Sequence, residues 1–172
     1  TDTTACGNVT ALGGAGLYEY IEVGSVAGNV ISLKNGCAGL KNSYTVAGNT
    51  QVIRVPQFTT LNVTNTGTIT APAWNGSVGG IVALHVRDTL TLNGTIDVQG
   101  LGFRGGAVDS SSGATGTDVT GYVGAAATFG GEKGESIAGS ASDYDALFNG
   151  RYGRGAPANG GGGGNSHRAG GG

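Results

Sequence analysis

The chain has 172 residues, a formal net charge of −2 and 12% charged residues, and it contains no basic run. This composition excludes binding driven by basic charge, whether to nucleic acid or to an anionic membrane surface. No stretch approaches 18 apolar residues, so the sequence predicts no membrane-spanning helix. The opening segment Thr1–Cys6 is polar, and we expect it to be the mature end left after a signal peptide is removed.

The two cysteines, Cys6 and Cys37, lie near the start of the chain. Both stand beside glycine and polar turn residues rather than in apolar runs, which favours a disulfide formed in an oxidising compartment. Such a bond would close a loop of roughly 30 residues and contribute about 3 kcal/mol through the entropy of the unfolded chain. The alternative is a pair of buried free thiols.

Short β-branched segments, separated by turns of asparagine and glycine, dominate the first part of the chain. This pattern is typical of strands. The predicted strands are Leu17–Val23, Val30–Leu33, Tyr44–Val46 and Gln51–Val55. We expect Pro56 to end the last of them, because proline cannot donate to a strand ladder.

A repeat follows. Leu61–Val63 leads to Thr68-Ile69, and Leu90–Leu92 leads to Thr95-Ile96, which lies 27 residues after the first Thr-Ile pair. The segment Ile81–Val86 between them is apolar on both alternating faces, so it predicts a strand covered on both sides. In that setting we expect His85 to be a core histidine.

Asn93-Gly94 is a strong hairpin signal in general. A two-residue hairpin here would place Ile96 and Val98 on the face opposite Leu90 and Leu92. If the chain instead turns a corner, all four apolar side chains point inward, as in a β-solenoid whose coils of about 20–30 residues stack on one core. We therefore favour an all-β fold with a short β-solenoid, and a small sandwich stays open as the alternative.

The composition changes at Gly100. Residues 100–172 hold 23 of the 37 glycines. Such a segment is either a flexible linker or an ordered layer of extended, polyglycine II-like backbones that approach each other closely. We favour the ordered layer because aromatic residues, which anchor packed layers, recur at Phe103, Tyr122, Phe129, Tyr144, Phe148 and Tyr152.

These observations divide the chain into a strand domain at 1–99 and a glycine-rich layer at 100–172. We expect the layer to pack on the strands and to continue beyond residue 172. Asp143–Gly150 is its one predicted helical turn, ended by Gly150. Asn159, Asn165 and His167 are the residues we expect to hydrogen-bond glycine backbone groups, which need partners when buried.

Four segments carry a resemblance to a known family: Gln51–Phe58, Thr70–Gly80, Gly102–Gly106 and Gly153–His167. With them, nearly the whole chain from about residue 20 resembles the glycine-rich, adhesin-like, large secreted surface proteins of Bacteroidetes and myxobacteria. The resemblance implies an N-terminal module with a β-helical part and a glycine-rich part, and it implies no catalytic residue. The family often has asparagine after the histidine, whereas Arg168 follows His167 here.

Candidate chemistry is sparse. The two histidines, His85 and His167, form no nucleophile–base arrangement with useful spacing, and the aspartates lack the regular spacing of a calcium repeat. We predict no catalytic residue, no metal and no cofactor. Trp74, Tyr122 and Tyr152 are the candidate ligand or subunit contacts, because aromatic rings stack on sugars and fill interfaces; for Trp74 a capping role at the solenoid end is the plainer interpretation.

The sequence therefore predicts an extracellular structural or adhesive protein at the bacterial cell surface, part of a fibre that self-associates. Expected partners are further copies of the chain, a cell-surface glycan or another surface protein. A carbohydrate-binding surface module is the alternative, and a polysaccharide-degrading β-helix enzyme is a more distant one.

Overall fold

The computed structural model describes residues 12–34, 39–108, 122–125, 130–148, 150–164 and 171–172. Most of its regular structure is strand, so the expected β-rich class is confirmed. The elements are β1 (Val23–Ala27), β2 (Val30–Leu33), a 3₁₀ turn (Val46–Gly48), β3 (Gln57–Val63), β4 (Thr68–Ile69), β5 (His85–Leu92), β6 (Thr95–Ile96) and α1 (Ala141–Phe148). Within these ranges no helix has the length and apolar character needed to cross a membrane.

β1 and β2 form an antiparallel hairpin with Ala27 opposite Val30. Gly28 lies in the turn with φ +57°, a conformation that glycine adopts without steric cost. The predicted strand Leu17–Val23 is wrong, because regular pairing begins only at Val23. The preceding segment is held by a side chain instead: the Glu19 carboxylate accepts the backbone N–H groups of Lys41 and Asn42 at 3.0 and 3.2 Å.

The repeat forms two parallel strand pairs. β3 pairs with β5, from Gln57 opposite His85 to Val63 opposite Leu92, with an irregularity between Phe58 and Thr60. β4 pairs with β6 through the two Thr-Ile segments, which are 27 residues apart. β5 and β6 do not pair with each other, so the prediction that Asn93-Gly94 does not close a hairpin is confirmed.

The predicted strands at Tyr44–Val46 and Gln51–Val55 are wrong. Thr45 caps a 3₁₀ turn by accepting the N–H of Gly48 at 3.2 Å, and this local hydrogen bond competes with strand formation. The role predicted for Pro56 is also wrong, since β3 begins immediately after it. A proline at the start of a strand forfeits no ladder donor, and its carbonyl accepts the N–H of His85 at 2.9 Å.

His85 is exposed, so the expectation of a core histidine is wrong. β5 begins at this residue, and the apolar segment before it is not a strand covered on both sides, because Ile81 is also exposed.

The best-buried residues of the described chain lie in the glycine-rich part. Before residue 100 only Val63 and Ala71 are buried, whereas buried residues recur from Gly124 to Gly163. Tyr144, in α1, is fully buried. α1 starts two residues before the predicted turn, where the Asp143 carboxylate accepts both the N–H and the hydroxyl of Ser140 at 2.8 Å, an N-terminal cap that satisfies otherwise unpaired donors.

Candidate interaction surface

The second segment of the repeat, β5 and β6, exposes an apolar face. Leu90, Leu92 and Ile96 are 42%, 48% and 39% exposed. Their partners in register are better covered: Val63, opposite Leu92, is only 5% exposed, and the residues opposite Leu90 and Ile96 are half-buried. Together with Val98, also exposed, these residues form the β5–β6 apolar face. No further described strand pairs with β5 or β6.

An open cleft of about 590 Å³ adjoins the β5–β6 apolar face. It shares Ile96 and Val98 with that face and is completed by the ring of Tyr20 and the segment from Gly80 to Leu84. The lining contains no carboxylate, histidine or basic side chain. This cleft therefore extends the apolar surface and offers no acid–base pair for catalysis.

Trp74 joins the strand part to the glycine-rich part. Its ring meets Phe103 edge-to-face, with centroids 5.2 Å apart and planes at 89°. Its indole N–H donates to the Glu135 carboxylate at 2.8 Å, and its backbone N–H donates to the carbonyl of Leu101 at 2.8 Å. The indole is half-buried with its donor occupied. Trp74 thus has internal partners on two sides.

Glu135 is the centre of this junction. It also accepts the backbone N–H and the Nε of Arg104, at 2.9 and 3.0 Å, and forms an ion pair with the guanidinium. The hydrogen bond from the Arg104 side chain holds the pKa of Glu135 below its usual value, although partial burial opposes this. The Glu135 N–H in turn donates to the Arg104 carbonyl at 2.9 Å. The side chain is therefore a charged acceptor for two separate segments.

Glycine backbones meet each other closely in the C-terminal part. Gly131 donates to Gly164 at 2.7 Å, Gly134 to Gly161 at 2.9 Å and Gly163 to Gly153 at 3.0 Å. A Cβ placed on Gly163 would overlap the carbonyl of Gly131, because the two backbones are packed against each other without intervening side chains. Residues at such approaches must be glycine.

Lys133 lies inside this region and is 1% exposed. Its ammonium donates to the carbonyls of Tyr122 at 2.6 Å and Gly153 at 3.0 Å, and also to that of Gly155. Burial lowers the pKa of Lys133 to about 8, so the group still carries its proton at neutral pH. Three donors then meet three backbone acceptors, which is the full hydrogen-bonding capacity of an ammonium group.

Of the other predicted contact residues, Tyr122 is exposed and lies under the guanidinium of Arg154, 4.3 Å from the ring centroid. Tyr152 is half-buried, lies 5.5 Å from the Arg151 guanidinium and exchanges two backbone hydrogen bonds with Gly124, both at 3.1 Å. Within the described residues, neither tyrosine has a ring contact with Trp74. The three aromatic residues therefore do not form one stacking platform.

Of the residues predicted to hydrogen-bond the glycine backbone or to form the disulfide, the structure describes only Asn159. Asn159 accepts the backbone N–H of Ile137 at 2.9 Å through its side-chain oxygen, so it bonds the backbone of the glycine-rich part but at a non-glycine position. Cys6, Cys37, Asn165 and His167 lie outside the described residues. Their predicted roles stay predictions.

Lys133 and Glu135 were not identified from the sequence. The signal that was present is the charged segment Glu132–Glu135, which stands among glycines in a part of the chain that is otherwise poor in charge. A charge run is usually a solvated surface, but charges within a glycine-rich backbone have many carbonyl and N–H groups within reach.

Across the described ranges no group of three or more histidine, cysteine or acidic side chains is placed to hold a metal ion. No family model matches the chain, no curated protein sequence is similar to it, and no solved structure is similar to its fold. The resemblance to secreted surface proteins therefore stays a prediction, and the geometry above is the basis for the function.

Proposed function

We propose that this protein is an extracellular structural and adhesive protein, a module that self-associates into a surface appendage or fibre. The observation that carries the proposal is the exposed β5–β6 apolar face, whose residues are in register with better-covered residues of β3 and β4. Large apolar patches on soluble proteins mark interaction sites. Within the described chain, 22 large hydrophobic side chains are exposed while three hydrophobic residues are buried.

The parallel registers support a short β-solenoid over a sandwich. Both strand pairs join segments 27 to 29 residues apart, in the same chain order and direction. Successive solenoid coils pair in this way, whereas a small sandwich is built mainly from antiparallel neighbours. A stack of two coils leaves strand edges with unpaired N–H and C=O groups, and another strand can satisfy them.

The glycine contacts support an ordered, polyglycine II-like layer as the second structural part. Ordering a glycine-rich backbone costs much conformational entropy. Close packing and satisfied backbone hydrogen bonds must offset that cost. In the proposed module this layer packs against the strand part, and the hydrogen bond between Trp74 and Glu135 connects the two. Lys133 neutralises the partial negative charge of three converging carbonyls.

The proposal makes the protein non-enzymatic. Its apolar face and cleft have the chemistry of a packing surface, since the cleft lining carries no carboxylate, histidine or basic side chain. Extracellular localisation and a disulfide between Cys6 and Cys37 belong to the same proposal, as do cell-surface partners.

The test compares the wild type with two lysine variants by size-exclusion chromatography with light scattering over a concentration series. Leu92→Lys places an ammonium in the apolar face; because Leu92 is already exposed, the cost to folding is small. Thr91→Lys is the matched control, since neighbouring strand residues point to opposite faces.

We expect wild type and Thr91→Lys to exceed the monomer mass of 16.8 kDa. Leu92→Lys should weaken association about tenfold or more, the effect of losing roughly 1.4 kcal/mol at the centre of an interface. A folded wild type that stays monomeric at high concentration would refute the proposed function.

A further inference from the structure

The β1–β2 hairpin has one apolar side. Its register places Val23 opposite Leu33 and Val26 opposite Ile31. Opposite residues of an antiparallel pair point to the same side of the sheet, and so do residues two apart on one strand. Ile31 and Leu33 are two apart on β2, so all four side chains share one side, which we call the hairpin apolar face. The other side carries mostly small or polar residues: Ser25, Ala27, Val30 and Ser32.

The hairpin apolar face is uncovered. Val23, Val26 and Ile31 are 48%, 65% and 42% exposed, and no other described strand pairs with β1 or β2. An antiparallel sheet normally packs its apolar side on a core, and a two-stranded hairpin by itself is only marginally stable in water. The hairpin apolar face is therefore a candidate for packing against another molecule.

The β5–β6 apolar face has the same chemistry. Like the hairpin apolar face it presents four aliphatic side chains, and all of them are exposed. Each face is also bordered by an exposed ion pair, Glu22–Lys34 at the base of the hairpin and Arg87–Asp88 near the start of β5. An apolar centre with a polar, charged rim is the usual composition of a protein–protein interface.

We propose that the occupant of the β5–β6 apolar face is the hairpin apolar face of a second copy, packed sheet against sheet. This inference rests on the proposed self-association and specifies the two surfaces that meet. When the two ion pairs lie at the same end of the contact, Glu22 of one copy meets Arg87 of the next and Lys34 meets Asp88. Opposite charges then face each other along the rim.

The exposure of both faces identifies this occupant. Both are exposed within one chain, so the hairpin does not cover the β5–β6 apolar face of its own molecule. A two-fold contact between two hairpins would leave every β5–β6 apolar face exposed, and a two-fold contact between two β5–β6 apolar faces would leave every hairpin exposed. One hairpin-to-β5–β6 contact per copy covers both apolar surfaces, which soluble proteins rarely leave uncovered.

The contact is heterologous, since it joins two different surfaces. A repeated heterologous contact generates an open filament unless its rotation closes a ring. Each copy in the filament inserts its hairpin on the copy before it and receives the hairpin of the copy after it. This geometry agrees with the proposed fibre.

Two variants that each damage one face test the contact. Val26→Asp places a carboxylate in the hairpin apolar face and leaves the β5–β6 apolar face intact, whereas Leu92→Lys does the reverse. Both positions are exposed, so the cost to folding is small. Association of each variant, and of an equimolar mixture, is measured by sedimentation velocity and light scattering.

We expect each variant alone to associate at least about ten times more weakly than wild type, because a charge then lies at the centre of every contact. The mixture has one undamaged pair of faces, the hairpin of Leu92→Lys and the β5–β6 apolar face of Val26→Asp. It should therefore form a dimer of one chain of each kind and grow no further. An affinity tag on one variant identifies both chains in that dimer.

Ser25→Asp and Thr91→Lys are the matched controls. Each places the same charge one residue away on its strand, where the side chain points to the opposite side. Both should associate like wild type. Circular dichroism checks that all four variants are folded. A hairpin loosened by Val26→Asp does not obscure the result, because the mixture uses the hairpin of the other variant.

The remaining outcomes separate this inference from the proposed function. Val26→Asp that associates like wild type overturns the inference, because the hairpin is then outside the interface. Leu92→Lys that associates like wild type overturns it in the same way for the β5–β6 apolar face. If both variants are monomeric and their mixture is too, the two faces do not meet and the inference is overturned. Each of these results leaves self-association of wild type standing, and a monomeric wild type removes the proposed function as well.

Discussion

The buried ammonium of Lys133 connects several backbone segments through its hydrogen bonds. Its three acceptors are carbonyls of residues 122, 153 and 155, which are remote from residue 133 in sequence. A buried charge without partners would cost several kcal/mol, and no carboxylate forms an ion pair with Lys133 in the described part of the chain. Here the dipoles of the three backbone carbonyls, rather than a carboxylate, stabilise the charge of Lys133.

Replacing Lys133 should change how stability depends on pH. In the folded protein its pKa is about 8, against 10.5 for the free side chain, so the unfolded chain binds more protons between these values. Stability contributed by this site therefore rises with pH across that window. Lys133→Met removes the titration and keeps the apolar stem.

The measurement is urea unfolding of wild type and Lys133→Met at several pH values from about 7 to 10. We expect the free energy of unfolding of wild type to gain on the variant by up to about 3 kcal/mol over this range. Titration of Tyr144, whose pKa is raised by burial, occurs in both proteins and cancels in the difference. A difference that stays constant from about pH 7 to 10 would show that the three carbonyls offset the effect of burial on the pKa of Lys133.

Gly163 tests the close backbone packing. Because a Cβ at this position overlaps the Gly131 carbonyl, Gly163→Ala should lower the free energy of unfolding by about 1–3 kcal/mol, the usual range for overpacking. Gly102→Ala is the control: a Cβ at Gly102 has no atom within 4 Å. That variant should be neutral or slightly more stable, since alanine restricts the unfolded chain. Equal thermal midpoints for the two variants would contradict the packing.

At the scale of elements, the sequence predicted the repeat better than the strands around it. The repeated Thr-Ile segments proved to be β4 and β6, and the faces of Leu90 and Leu92 had argued against a hairpin at Asn93-Gly94. Gln51–Val55 has equal β-propensity but forms no strand. Nothing in its residues states whether a partner strand is within reach, and strand formation depends on that partner.

For the glycine-rich part, the sequence predicted order but not the contacts that produce it. Its aromatic residues indicated order, but the acceptors of the Lys133 ammonium are backbone carbonyls. Every residue supplies such groups, so side-chain patterns carry no information about which carbonyls converge. The contact of Trp74 with Glu135 joins residues 61 positions apart, and neither residue stands in a periodic segment that would have placed it.

A double-mutant cycle tests the contact between Trp74 and Glu135. Trp74→Phe keeps an aromatic ring beside Phe103 and removes the donor to Glu135, while Glu135→Gln removes the charge of the acceptor. A hydrogen bond to a charged group contributes about 1.5–3 kcal/mol, so we expect a coupling energy of about 1–2 kcal/mol between the two positions. Chemical unfolding of the two single variants and the double variant measures it.

Tyr18→Phe is the control for the cycle, because Tyr18 is largely exposed and its substitution should change stability by less than about 0.5 kcal/mol. If the effects of Trp74→Phe and Glu135→Gln simply add, the two residues do not act together. The link between the strand part and the glycine-rich part would then depend on the other contacts of Trp74, with Phe103 and with the carbonyl of Leu101.

For the whole molecule, buried area is concentrated in the glycine-rich part while the strands expose apolar side chains. In the proposed assembly, other copies of the chain cover these exposed apolar side chains. Any partner that binds only the folded state stabilises it by mass action. Stability should therefore depend on protein concentration.

We expect the thermal midpoint of wild type to rise by about 3–6 °C for each tenfold increase in concentration, because a tenfold change corresponds to about 1.4 kcal/mol and the midpoint of a chain of this size shifts by about 2–4 °C per kcal/mol. Leu92→Lys, with its charged apolar face, should show a flat midpoint, and Thr91→Lys should follow wild type. Differential scanning calorimetry over two decades of concentration distinguishes them. If Leu92→Lys has the same slope as wild type, copies associate through another surface, and the glycine-rich part is the next one to alter.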